Sequence, residues 1–184
     1  MIYFTSDLHF GHTNIIKYCN RPFSSVEDMD KALINSWNEA VKPDDDIYIL
    51  GDFTMRGSGQ ARGYLSALNG RKYLIVGNHD LFLDDLDEAE GWFEWVKDYA
   101  AVDFHGVSFV LFHYPIVEWF RFGKGAIHLY GHIHNSPPAA TKIPSNIRAF
   151  NVGVDVNDFA PVSIDEIIRR ANKIEIVKRH NDDL

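Results

Sequence analysis

Apolar residues in this chain fall into several short runs and one long stripe at helical spacing. Ile2 to Thr5 has the length of a buried strand and runs directly into Asp7. Val26, Met29, Leu33, Trp37 and Val41 then recur every three or four positions, which predicts a helix with one face in the core. Ser24 and Glu27 have the spacing of a capping box and are expected to start it. Pro43 to Asp46 reads as a turn, and Ile47 to Leu50 as a second strand that stops at Gly51 and Asp52. Residues 60–68 read as a helix, Asn69-Gly70 as a turn, and Arg71 to Val76 as a third strand ending at Gly77. The acidic stretch from Leu81 to Glu90 suggests a short helix or loop, and residues 92–102 alternate less cleanly. Val107 to Phe112 is predicted as a strand feeding His113, and Ala126 to Tyr130 as another feeding Gly131 and His132. Pro137 to Pro144 reads as a loop and Arg148 to Val154 as a strand. Ser163 opens a last amphipathic helix with Ile164, Ile167 and Ile168 inward.

Strand and helix alternate in the early chain, and the later chain is strand-rich. That order predicts mixed sheets covered by helices, in which ligands gather beyond strand ends. No repeat, low-complexity tract or linker interrupts it, so residues 1–184 are expected to form one domain.

Composition narrows the class. An apolar fraction of 46% with 24% charged residues is ordinary for a globular protein in water, and no apolar run approaches membrane-spanning length. The net charge of −8 leaves no broad footprint for a nucleic-acid backbone, which disfavours nucleic acid as a partner. The one cysteine, Cys19, cannot form an internal disulfide and reads as a small core residue. With no visible leader ahead of the first strand, a cytoplasmic location is expected.

The chemistry lies where the strands stop. Asp7 and His9, Asp52, Asn78 and His79, His113, and His132 and His134 each follow an apolar run. Residues two apart at a strand end share a side, so Asp7 and His9 are expected to grip one cation, and His132 and His134 repeat that spacing. Asp52 offers two oxygens, enough to bridge two metals. Nitrogen and oxygen donors without thiolate suit transition metals better than calcium or magnesium. Manganese is the first expectation, with iron, zinc, cobalt or nickel as alternatives. Two such ions, two carboxylates and a bridging hydroxide leave a centre of about +1 in formal charge, which favours a phosphoryl group.

The ordered set Asp7-x-His9, Gly51-Asp52, Gly77-Asn-His-Asp80, His113 and Gly131-His-x-His134 resembles the calcineurin-like metallophosphoesterase superfamily. It spans about seven-tenths of the chain. Residues 5–23, with Asn20-Arg-Pro-Phe23, are similar to the small uncapped bacterial and phage phosphoesterases within it. The resemblance implies an α/β four-layer αββα sandwich with two central mixed β-sheets. It implies that Asp7, His9, Asp52 and His134 hold a first metal. Asp52 as the bridge, with Asn78, His113 and His132, would hold the second. His79 would be the general acid and Asp80 the residue that orients it.

Substrate contacts are less marked. His12 reads either as a phosphate contact or as a polar helix-start residue. Arg21 and Arg56 are candidate phosphate forks. Phe10, Phe23, Tyr114, Trp119, Arg121 and Phe122 lie near the blocks and read as substrate contacts, core or lid, and His128, inside a strand, as a core residue. The expected activity is hydrolysis of a small, nucleotide-like phosphodiester by a hydroxide bridging the metals. A phosphomonoesterase or nuclease is the alternative within the enzyme class, and a metal-poor binding scaffold the alternative outside it.

Overall fold

The structure is a computed structural model and describes residues 1–87, 91–136 and 143–177. Its centre is a pair of mixed sheets. In the first, β1 (Ile2–Thr5), β2 (Asp46–Ile49), β3 (Arg71–Ile75) and β4 (Trp95–Lys97) run parallel. A short β9 (Val162–Ser163) pairs antiparallel with β1 at the far edge. The second sheet is ordered β5 (Tyr99–Phe104), β6 (Val107–Phe112), β7 (Ile127–Tyr130), β8 (Ala149–Asn151). Its β5–β6 pair is antiparallel and the rest is parallel.

The sheets pack face to face. Phe4, Tyr48, Leu50 and Ile75 of the first meet Phe109, Leu111, Ile127 and Leu129 of the second, with the Phe4 and Phe109 rings stacked at 5.8 Å. Burying each of these side chains contributes roughly 1.5–3 kcal/mol. The outer face of the first sheet is covered by α1 (Ile15–Tyr18), α2 (Val26–Ala40) and α3 (Ser58–Ala67). The helical stripe is buried as expected, with Met29, Leu33, Trp37 and Val41 in the core. The last helix, α4 (Ile164–Ala171), adds Ile164, Ile167 and Ala171 to the core between the sheets. Trp119 covers the outer face of the second sheet against Val110, Ala126 and Ile147. The α/β sandwich with two mixed sheets is thus present, and its fourth layer is built here by the segment around Trp119. Among the described residues, no helix is long and apolar enough to cross a membrane.

Local differences from expectation have local causes. The cap of α2 is Ser25, whose hydroxyl accepts from the Asp28 N–H at 3.1 Å, while Ser24 bonds the Asp28 side chain. The capping pair is therefore one residue later than the spacing suggests. Residues 95–104 hold two strands. The first is a sheet edge with Val96 and Lys97 exposed, so it carries no alternation to read. The strand expected over Arg148 to Val154 covers only Ala149–Asn151, because a 3-10 turn follows at Val154–Val156. Of the stretch read as acidic, Leu81–Asp85 is a 3-10 turn. Residues 88–90, most of the proline loop (137–142) and His180 lie outside the described residues.

Strands β1, β2, β3, β6 and β7 all deliver their C-terminal ends to one side. The ligand-type residues follow those ends and meet there.

Candidate functional site

Three of the strands that feed the site, β1, β2 and β7, run into left-handed kinks. Asp7 (φ 56°), His9 (52°), Asp52 (56°), His132 (69°) and His134 (47°) all sit in the region that favours glycine. Such residues cost on the order of 1 kcal/mol or more each and persist where surrounding structure enforces them. Here the enforcement is backbone pairing between loops. The Asp7 N–H donates to Gly51 O, His9 N–H to Asp52 O and Phe10 N–H to Phe53 O, each at 3.0 Å. The expectation that strand alternation puts Asp7 and His9 on one side is therefore corrected. The paired left-handed residues, not the pleat, turn both side chains inward, and the same holds for His132 and His134.

The result is two clusters of three. Asp7, His9 and His134 offer ligand atoms within 4.8 Å of one another, and so do Asp52, His113 and His132. Asp52 Oδ2 lies 3.5 Å from His9 Nε2 and 3.5 Å from His113 Nε2, so one carboxylate oxygen faces a ring nitrogen of each cluster. Asn78 Oδ1 lies 3.1 Å from His113 Nε2 and 3.0 Å from His132 Nδ1. His113 Nδ1 lies 2.7 Å from the Leu50 carbonyl, the partner that leaves Nε2 aimed at the cluster. The acids form a buried floor, while His132, His134 and His79 are half-buried and Asn78 is exposed, so the mouth is open.

Electrostatics supports a cation in this floor. Both ring nitrogens of His9 are buried without a hydrogen-bond partner. Burial, only partly countered by Asp52, pushes the His9 pKa down to about 3. Burial likewise raises the Asp7 carboxyl to about 6, against the opposing pull of His134 and His113. Burial works to raise Asp52 too, but the His113 hydrogen bond and charge, with His9 and the His79 N–H, bring it down to about 2. For His134 the loss of solvent lowers the pKa, and the Asp155 hydrogen bond overrides it and raises the value to about 10. Unpaired imidazole lone pairs beside buried carboxylates are expensive in a low dielectric. A divalent cation satisfies both, so the donor set fits metal ions.

Residues 1–91 match the model of the calcineurin-like phosphoesterases. An uncharacterised protein of Methanocaldococcus jannaschii is 38% identical to this chain, over 98% of it and 97% of the relative. The chain belongs to the calcineurin-like phosphoesterase family. Another relative, the gene 66 protein of Mycobacterium phage L5, is 33% identical over 94% of each chain. The crystal structure of a protein of unknown function from Aquifex aeolicus has a TM-score of 0.73 and 31% identity. It covers 92% of this chain and 98% of that one.

Several side chains of this calcineurin-like phosphoesterase sit differently from their sequence-based expectation. Asp80 does not point at the His79 ring. Its carboxylate accepts from the backbone N–H groups of Asp52 (2.9 Å), Phe53 (2.8 Å) and Gly77 (2.7 Å). It staples the Asp52 loop to the Asn78 loop, and Asp52 Oδ1 in turn accepts from the His79 N–H at 2.9 Å. Arg21 is not a phosphate fork at the mouth. It is 4% exposed, and its guanidinium is consumed by Asp155, Asp7 O, Leu8 O and Met29 Sδ. Gly77 is needed for close approach. A Cβ there would meet the Asp52 amide nitrogen at 2.5 Å. Phe10 and Trp119 are core, Phe23 packs on Phe159, and Arg121 reaches Asp103 and Ser108 near the opposite ends of β5 and β6. His128 is fully buried, as its strand position suggests.

His12 and Arg56 remain beside the site. The His12 ring lies 5.5 Å from that of His9, with its Nδ1 buried and unpartnered. Exposed Arg56 donates from Nε to Gly11 O at 2.9 Å. Tyr114 packs edge-on against the His132 ring at 4.6 Å. Asp155, which bonds His134 Nδ1 at 2.7 Å, was not anticipated. Its one signal in the sequence is a lone acid between Val154 and Val156 in an otherwise apolar stretch.

Proposed function

We propose that the protein is a dinuclear-metal-dependent phosphoester hydrolase, a phosphodiesterase acting on a small nucleotide-like substrate. The observation that carries the reading is the position of Asp52, one oxygen of which lies 3.5 Å from a ring nitrogen of each cluster. Asp7, His9 and His134 hold one ion, Asn78, His113 and His132 hold the other, and Asp52 serves both. Two divalent ions bound there supply an activated water and countercharge for the phosphoryl oxygens. Manganese fits this mixture of oxygen and imidazole donors.

His79 is the proton donor. Its backbone N–H is anchored on Asp52 Oδ1, and its ring stands 5.4 Å from that of His9. Among the described residues no hydrogen bond takes up that ring, so a leaving oxygen can receive its proton. His12 and Arg56 border the mouth and contact the phosphate. The backbone N–H groups of His79 and His132 donate to the buried Asp52 and Asp7 carboxylates and hold them still, so the ligands are arranged before substrate arrives. The chain's charge of −8 works against a long polyanionic substrate.

A hydrolysis screen with added manganese tests this. It compares bis-p-nitrophenyl phosphate, p-nitrophenyl phosphate, cyclic nucleotides, dinucleotides and short DNA, each with and without chelator. Manganese-dependent cleavage of diesters, abolished by chelation, is expected. Faster cleavage of monoesters would replace the diesterase reading with a phosphomonoesterase. Absence of both hydrolysis and tightly bound metal would favour a binding scaffold.

A further inference from the structure

We infer that Asp155 and Arg21 are positioning residues of the centre, a buried pair that aims the His134 ring and clamps the Asp7 turn together. The inference rests on the two-metal reading above. Asp155 sits in the 3-10 turn after β8, held there by a Val154 N–H bond to Ser6 O at 3.1 Å. Its Oδ2 lies 2.7 Å from His134 Nδ1. With Nδ1 donating its proton to that carboxylate, the ring presents Nε2 to the cluster with its lone pair free. Asn151 fixes the same residue from behind, its amide donating to His134 O at 2.9 Å.

Arg21 completes the arrangement. Nε donates to Asp155 Oδ1 at 2.8 Å and Nη2 to Oδ2 at 2.9 Å. The remaining donors go to Asp7 O (2.7 Å), Leu8 O (2.9 Å) and Met29 Sδ (3.4 Å). All the N–H groups of a guanidinium are thereby used. The two side chains are 0% and 1% accessible. One buried pair therefore touches both ends of the Asp7–His9–His134 cluster, the backbone at Asp7 and the ring at His134. Among the described residues, nothing comparable links it to the Asp52–His113–His132 cluster. The Cys19–His134–Asp155 group also brings ligand-type atoms within 4.8 Å. The guanidinium already bonded to both Asp155 oxygens makes that group a poor cation site, and a good hydrogen-bonded support.

Calorimetric titration with Mn and Zn, alongside metal content by mass spectrometry, tests the inference on wild type, Asp155→Asn and Arg21→Lys. Arg169→Met, which disturbs an exposed charged pair on α4 away from the site, is the stability control. Two ions per wild-type chain are expected. In both site variants one ion should bind on the order of 10–100-fold more weakly, while the second keeps its affinity. Arg169→Met should keep both. Lowered melting temperature with both affinities unchanged, or equal weakening of both sites, would overturn the inference and leave the two-metal reading intact. A wild type that binds no ion would defeat both readings before any variant is made. Should neither variant fold, nitrogen NMR of Zn-loaded wild type decides. A protonated Nδ1 and a metal-bound Nε2 on His134 support the inference, and metal on Nδ1 refutes it.

Discussion

Replacing Asp80 by alanine strips three buried backbone N–H groups of their acceptor, at Asp52, Phe53 and Gly77. Hydrogen bonds to a charged group contribute about 1.5–3 kcal/mol each, and a buried donor left bare costs about 1–3 kcal/mol. Relaxation of the loops toward water recovers part of this. A net loss of about 3–6 kcal/mol is expected, a large share of the roughly 5–15 kcal/mol that holds a domain together. Asp80→Asn keeps one acceptor oxygen and turns a donor toward the remaining N–H, so about 1–3 kcal/mol is expected for it. Urea unfolding of chelator-treated protein measures both losses without the contribution of bound metal. Metal affinity should fall with stability, because the staple fixes Asp52. Wild-type urea midpoints and metal binding in both variants, with turnover lost, would refute the reasoning. Asp80 would then act on His79.

Three further outcomes follow from particular contacts. His79→Ala should retain both ions and lose turnover most with poor leaving groups, as measured across a series of substituted phenyl esters; loss of metal would make His79 a ligand. His128, fully buried with a pKa pushed down to about 4, is neutral when folded. Because the unfolded chain protonates near 6.5, stability should fall by about 3 kcal/mol between pH 6.5 and pH 4 and level off below, a slope that His128→Gln removes. Gly131→Ala puts a Cβ within 2.5 Å of Asp7 Oδ2 and against the Ser6 hydroxyl, so it should weaken metal binding at the Asp7 cluster, read by titration.

Much of this was legible before the structure, for identifiable reasons. The α2 stripe and the runs at Ile2, Ile47, Arg71, Val107 and Ile127 are strongly patterned, because each buries a full face. The ligand-type residues announce themselves because each follows such a run. What was hidden depends on backbone or on distance. Left-handed φ at Asp7, His9 and Asp52 is only weakly signalled by residue type, since Asp and His are enriched in that region but adopt it at a minority of positions. Arg21 looked like a surface phosphate ligand because its acceptors are scattered over residues 7, 8, 29 and 155. Asp80 looked like a partner of its neighbour His79, yet its three donors come from two loops. The β4 edge carried no readable alternation because two of its three side chains face water.

Anomalous diffraction from manganese-loaded crystals tests the central claim most directly. Two manganese peaks roughly 3.5–4 Å apart are predicted. One should lie against Asp7, His9 and His134, the other against Asn78, His113 and His132, with Asp52 touching both. A single peak, or two peaks with Asp52 bound to neither, would contradict it.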